Sequence, residues 1–149
     1  SLRPGSTATD EQRSAYFKPM WRWSIAMQND FAARADWCVK SYAEANHQPV
    51  VVLAHSADIK AKPGSKVSLS AAGTSDPDGD SLTFSWWQYA EAGTYPGSVD
   101  ISDSGSVNAM LTVPADAKPG QTIHVVCEVT DSGTPRLTRY ARVIVNVVK

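Results

Sequence analysis

The sequence predicts a mainly-β chain, an antiparallel β-sandwich preceded by an α-helical extension. Three observations predict it. Residues 49–149 are rich in Val, Thr, Ser, Gly and Pro, with turn signals at short intervals. Between the turns, apolar and polar residues alternate with the period of a half-buried strand. Residues 1–48 break that pattern, holding three of the five tryptophans and few β-branched residues. Seven short strands in about 100 residues, separated by Gly/Pro turns, make an immunoglobulin-like sandwich.

In the extension, Met27, Phe31, Ala35, Cys38 and Tyr42 are spaced 4, 4, 3 and 4 apart, one stripe of a helix over about residues 24–46. Asp36 and Lys40 pair on its exposed side. Pro49 stops the helix, with Asn46 at its C-terminal end. Trp37 lies off the stripe and implies a second contact. Residues 20–24 read as extended, which points Trp21 and Trp23 the same way. Residues 1–10 read as loose. Position 1 is Ser and no signal peptide follows, which reads as a cytosolic protein or as a mature or excised piece; the opening "SLRPGSTATDEQRSAYFKPMWRW" resembles a chain entered midway and favours the excised piece.

In the sandwich, residues 50–54 form the expected first strand. Pro63-Gly64 turns the chain into a strand with Val67 and Leu69 on one face. After the "DPDGD" turn, "SLTFSWWQY" places Leu82, Phe84 and Trp86 inward and Thr83, Ser85, Trp87 and Tyr89 outward. Trp86 is therefore a core residue. "SVDI" and "NAMLTV" are short strands, and "KPG" at 118–120 is a turn. "QTIHVVCEVTD" points Ile123, Val125, Cys127 and Val129 inward and His124, Val126 and Glu128 outward. "TRYARVIVNVV" closes the sheet with Ala141, Val143, Val145 and Val147 on one face. Cys38 and Cys127, both at apolar-facing positions, permit a disulfide but do not require one.

The net charge of -1 argues against nucleic acid as the partner. No apolar run approaches the roughly 20 residues of a membrane helix. No G-x-S-x-G, phosphate loop or H-x-x-x-H pair occurs, so no catalytic constellation is expected. His124 faces outward and makes at most a surface pair with Glu128.

Asp76, Asp78 and Asp80 alternate along "DPDGD". Crowded carboxylates repel unless a cation joins them, and an all-oxygen set suits calcium. An EF-hand is excluded, since its sixth position is Ser81 and its twelfth is Trp87. Asp131 opens a loop at the same end of the sandwich and completes a candidate metal set of Asp76, Asp78, Asp80 and Asp131. The other reading is an Asx-type turn in which carboxylates cap free N–H groups. Calcium, if bound, stiffens the loop.

On the outer face of the sheet, Trp87 and Tyr89 join Val126, Tyr140, Arg142 and Ile144 in a patch whose size implies a contact. The contact is a sugar ring stacked on Trp87 and Tyr89, with Tyr95 in a lip beyond the strand beside Glu91, or else protein packing, by the N-terminal helix with its Phe31 and Tyr42 stripe or by a missing neighbouring domain. Trp21 and Trp23 are outlying candidates.

"SDPDGDSLTFSWWQY" and "EVTDSGTP" resemble the signatures of polycystic-kidney-disease (PKD) and cadherin-like modules. "AMQNDFAARADWCVKSYAEANHQPVV", "WWQYAEAGTYPG" and "VPADAKPGQTIHVVCEVTDSGTPRLTRYARVIV" together resemble the C-terminal domain of a bacterial cellulose-binding protein family. In that family a nucleoside-hydrolase-like domain comes first. The resemblance implies a secreted, periplasmic or cell-surface protein and a non-catalytic module that binds cellulose or a related polysaccharide. The alternative it implies is an accessory domain that packs on and orients the hydrolase-like domain, which this chain lacks.

Overall fold

The computed structural model describes residues 9–149. They form two compact units that divide after Ala45.

The first unit is built on helix α1, Asp10–Trp37. Thr9 and Gln12 form a capping box: Thr9 Oγ1 accepts from the Gln12 N–H at 3.2 Å, and Gln12 Oε1 accepts from the Thr9 N–H at 2.9 Å. Asp10 and Glu11 complement the helix dipole in the first turn. The helix thus begins well before residue 24 and runs through Pro19, although proline offers no N–H to the ladder. Residues 20–24 are helical, so Trp21 and Trp23 point to different sides rather than the same one. Of the segment expected to be loose, residues 1–8 lie outside the described residues, while Thr9 caps the helix and Asp10 begins it.

The helix also ends earlier than expected. Ser41 and Glu44 form a second capping box around the 3-10 turn Tyr42–Glu44, which starts a new local hydrogen-bond pattern before residue 46. Lys40 Nζ meets Asp36 Oδ2 at 2.7 Å, as the spacing predicts. The expected apolar stripe does not form a buried face. Met27, Phe31 and Tyr42 are 67%, 75% and 73% exposed, and Cys38 is exposed as well.

The second unit is the sandwich. Its strands are β1 (Asp58–Ala61), β2 (Lys66–Ser70), β3 (Thr83–Gln88), β4 (Asp100–Ser102), β5 (Asn108–Thr112), β6 (Thr122–Thr130) and β7 (Thr138–Val147). One sheet has the order β1-β7-β6-β3 and the other β2-β5-β4. All strand pairs are antiparallel except β1–β7, which is parallel. Residues 50–54 are not a strand. Val50 bridges Ser75, while the Ala54 N–H donates to Ser70 O, a one-residue slip that breaks the ladder between them. The first strand is instead β1, where Ile59 and Ala61 carry the alternation.

The core lies between the sheets. Leu69, Leu111, Ile123, Val125, Val129, Val143 and Val145 are fully buried. Trp86 is 3% exposed, packs in this cluster and donates from Nε1 to Ser106 O at 2.9 Å. Cys127 faces it in register and is buried, where burial pushes its thiol up to about 12. Cys38 and Cys127 are both free thiols.

Candidate functional site

The pairing register of the four-stranded sheet lays out its outer face row by row. One row runs Arg142, Val126, Trp87; the next runs Tyr140, Glu128, Ser85. On the other side of Trp87 lies a row of Asp58, Ile144 and His124. The Tyr89 N–H extends that row by donating to His124 O at 2.8 Å. Alternation along β3 puts Trp86 and Trp87 on opposite sides, so one tryptophan serves the core and the other this face.

Trp87 and Tyr89 meet edge to face, with ring centroids 5.9 Å apart at 68°. Trp87 Nε1 donates to Glu128 Oε2 at 3.2 Å, which holds the indole against the sheet. Both rings are partly buried, and Val126 beneath them is 4% exposed. Tyr140 is 37% exposed. Burial, and then the Glu128 carboxylate, push its phenol up to about 12. His124 is held below its usual range by burial and then by Arg142, against the pull of Asp58. The expected His124–Glu128 pair is not the arrangement found. His124 sits opposite Ile144 and Glu128 opposite Tyr140, two rows apart.

Tyr95 does not belong to this face, which corrects its assignment to sugar binding. It is 7% exposed in the core, and its hydroxyl donates to Asp116 Oδ1 at 2.9 Å. Gly97 makes room for that ring, since a Cβ there would lie 2.6 Å from the Tyr95 hydroxyl. No local sequence signal links Tyr95 to Asp116, 21 residues away. Of the outlying candidates, Trp21 is 72% exposed and Trp23 partly buried, both on α1.

At the aspartate loop, Asp76, Asp78 and Asp80 place one carboxylate oxygen each within 4.8 Å of one another. The loop is also an Asx turn: Asp76 Oδ1 accepts from the N–H groups of Asp78 at 2.9 Å and Asp80 at 3.2 Å. Gly79 supplies the positive φ of 79° that this turn requires. Asp78 is held by His47, whose backbone N–H donates to Oδ2 at 2.6 Å and whose Nδ1 lies 2.9 Å from Oδ1. Burial disfavours charge on Asp78, but the His47 ring, its N–H and its charge outweigh this and hold the carboxyl below the usual range. His47 lies 31 residues upstream of Asp78, beyond the reach of sequence spacing.

Asp131 does not join these three carboxylates, which corrects the four-carboxylate set. It is 2% exposed and accepts from Asn46 Nδ2 at 3.0 Å, the Gly133 N–H at 3.1 Å and the Leu137 N–H at 2.9 Å. Its neighbour Ser132 makes the link between the loops, accepting from the Ser81 N–H and donating to Asp80 Oδ1. The two loops do meet at one end of the sandwich, but through a hydroxyl rather than a fourth carboxylate.

Residues 66–147 match the family profile described as "Cellulose-binding protein Sde0182, C-terminal domain". Among solved structures, the chain is 47% identical, with a TM-score of 0.81, to a nucleoside hydrolase-related hypothetical protein from Saccharophagus degradans associated with carbohydrate metabolism. The match covers 85% of this chain and 32% of that one, so the chain spans about a third of its relative. The PKD domain of the KIAA 1837 protein aligns at 17% identity with a TM-score of 0.45, over 70% of this chain and 91% of its own. No curated protein matches the chain.

Proposed function

Since the chain belongs to the family of the C-terminal domain of cellulose-binding protein Sde0182, we propose that it binds cellulose or a related polysaccharide without cleaving it. The observation that carries this reading is the Trp87–Tyr89 pair on the outward face of the sheet. The C–H faces of a pyranose ring are apolar and stack on aromatic faces. The polar rim of a pyranose ring needs donors and acceptors; Arg142 stands in the row of Trp87, and Tyr140 and Glu128 in the next. Insoluble polysaccharide cannot enter a cell, so the reading puts the parent protein in a secreted, periplasmic or cell-surface location. Calcium bound at Asp76, Asp78 and Asp80 would stiffen the loop end and take no part in this face. Depletion of the 149-residue chain from solution by insoluble cellulose, against an inert control protein, tests the proposal. Unchanged protein in the supernatant removes it.

A second reading has its own support. The family description is of a C-terminal domain, and the relative of known structure is nucleoside hydrolase-related. In this reading the domain is an accessory that packs on and orients a hydrolase-like domain. Binding to cellulose that survives Trp87→Ala, with the neighbouring domain's stability reduced by it, favours the second reading over the first.

A further inference from the structure

Helix α1 carries an apolar surface that neither the sandwich core nor the proposed sugar face accounts for. Met20, Trp21, Ile25, Met27 and Phe31 are between 67% and 75% exposed. At about 100° per residue they fall within an arc of about 160°, over a helix length of about 16 Å. Lys18, Arg22, Asp30, Arg34 and Asp36 all project outside that arc, so no charge interrupts it, and the polar residues within it are the neutral Ser24 and Gln28. Five large apolar side chains on one uncharged helix face cost free energy in water and mark an interaction surface.

We propose that this face docks onto the nucleoside hydrolase-related part of the same polypeptide. The proposal rests on the accessory reading and names the surface that serves it. Two facts select this occupant. The matching family is a C-terminal domain, and its match begins at residue 66, so α1 lies on the N-terminal side of it. The related protein extends well beyond this chain, which covers 32% of it. A helix between the two parts therefore presents its uncharged arc to the part that comes first. A second copy of this chain is the competing occupant.

Hydrogen exchange across residues 17–31 tests the proposal, measured on the 149-residue chain and on the natural polypeptide that includes the hydrolase-related part. Exchange in the longer protein is expected to be at least about tenfold slower. The triple variant Trp21→Ser, Ile25→Ser, Phe31→Ser is expected to return it to the rate of the short chain. These side chains are exposed, so the variant retains the sandwich, which thermal unfolding of the short chain verifies. Equal exchange rates in the two proteins overturn the docking face. If the two parts still unfold as one transition in that case, the accessory reading survives and only the face is wrong. If they unfold independently, both fall. Concentration-dependent dimerisation of the 149-residue chain, abolished by the triple variant, assigns the face to a second copy and also overturns the proposal.

Discussion

Asn46 donates from Nδ2 to the buried Asp131 carboxylate at 3.0 Å and to Pro135 O at 2.8 Å, pinning the first residue of the sandwich unit into the β6–β7 loop. With the Gly133 and Leu137 N–H groups on its other oxygen, Asp131 organises that whole loop. Truncation by Asp131→Ala strands three donors, two of them backbone N–H groups. The expected cost is about 2–4 kcal/mol, read as a lowered denaturant midpoint. Gly133→Ala is expected to destabilise too, because its Cβ would overlap the Asn46 side chain. A midpoint unchanged in both variants contradicts this account of the loop.

The adjacent tryptophans are expected to separate stability from binding. Trp86→Ala removes a core side chain and its bond to Ser106, at a cost of about 3–5 kcal/mol. Trp87→Ala is expected to lower the melting temperature by only a few degrees and to weaken retention on cellulose about tenfold, or about 1.4 kcal/mol. Equilibrium depletion assays and thermal unfolding of both variants check it. Retention lost equally in the two would trace to unfolding rather than to the face.

Tyr95→Phe keeps the ring and loses the bond to Asp116. It is expected to cost about 1 kcal/mol of stability and nothing in cellulose retention. A retention defect at wild-type stability would return Tyr95 to the binding site despite its burial.

Acid should destabilise the sandwich in two steps. Both His124 and Asp78 have folded values held below their ordinary ones, so each contribution is complete above the ordinary value and lost as the pH falls through the lowered one. For His124, set mainly by burial and then by Arg142, loss begins below 6.5. For Asp78, where the His47 bonds overcome burial, it begins below 3.8. His124→Gln is expected to flatten the upper step and Asp78→Asn the lower one in a series of melting curves against pH.

The same loop provides the calcium test. Calcium binding by Asp76, Asp78 and Asp80 is expected to raise the melting temperature at millimolar concentration, by mass action on the folded state alone. The rise is expected to vanish in Asp78→Ala. A flat response in the native chain leaves the Asx turn and the His47 contact as the loop's whole role.

Much of this was readable from residue order alone. Alternation within 122–130 and 138–147 determined which side chains enter the core, and the Trp86/Trp87 parity followed from the same period of two. Turn chemistry at Gly64, Gly79 and Gly120 marked where strands stop, and each of these glycines has positive φ. The family resemblance lay in long contiguous motifs; those at 86–97 and 113–145 fall within the matched residues 66–147, and the one at 26–51 lies before them. Such signals are local, because strand period and turn geometry act over a few residues.

The tertiary structure decided what depends on distant partners. The pairing of His47 with Asp78, of Asn46 with Asp131 and of Tyr95 with Asp116 spans 31, 85 and 21 residues. No period or spacing reports such contacts. The Asn46 contact moved Asp131 from a metal ligand to a loop anchor, and the Asp116 contact moved Tyr95 from a sugar platform to the core. The helix showed the reverse weakness. Its less exposed side is carried by Trp23, Ala26, Ala33 and Trp37, so a stripe chosen by spacing at Met27, Phe31 and Tyr42 picked side chains that remain in solvent. Local physics sets which elements form and which residues alternate; long-range hydrogen bonds and burial set what each polar or aromatic side chain is for.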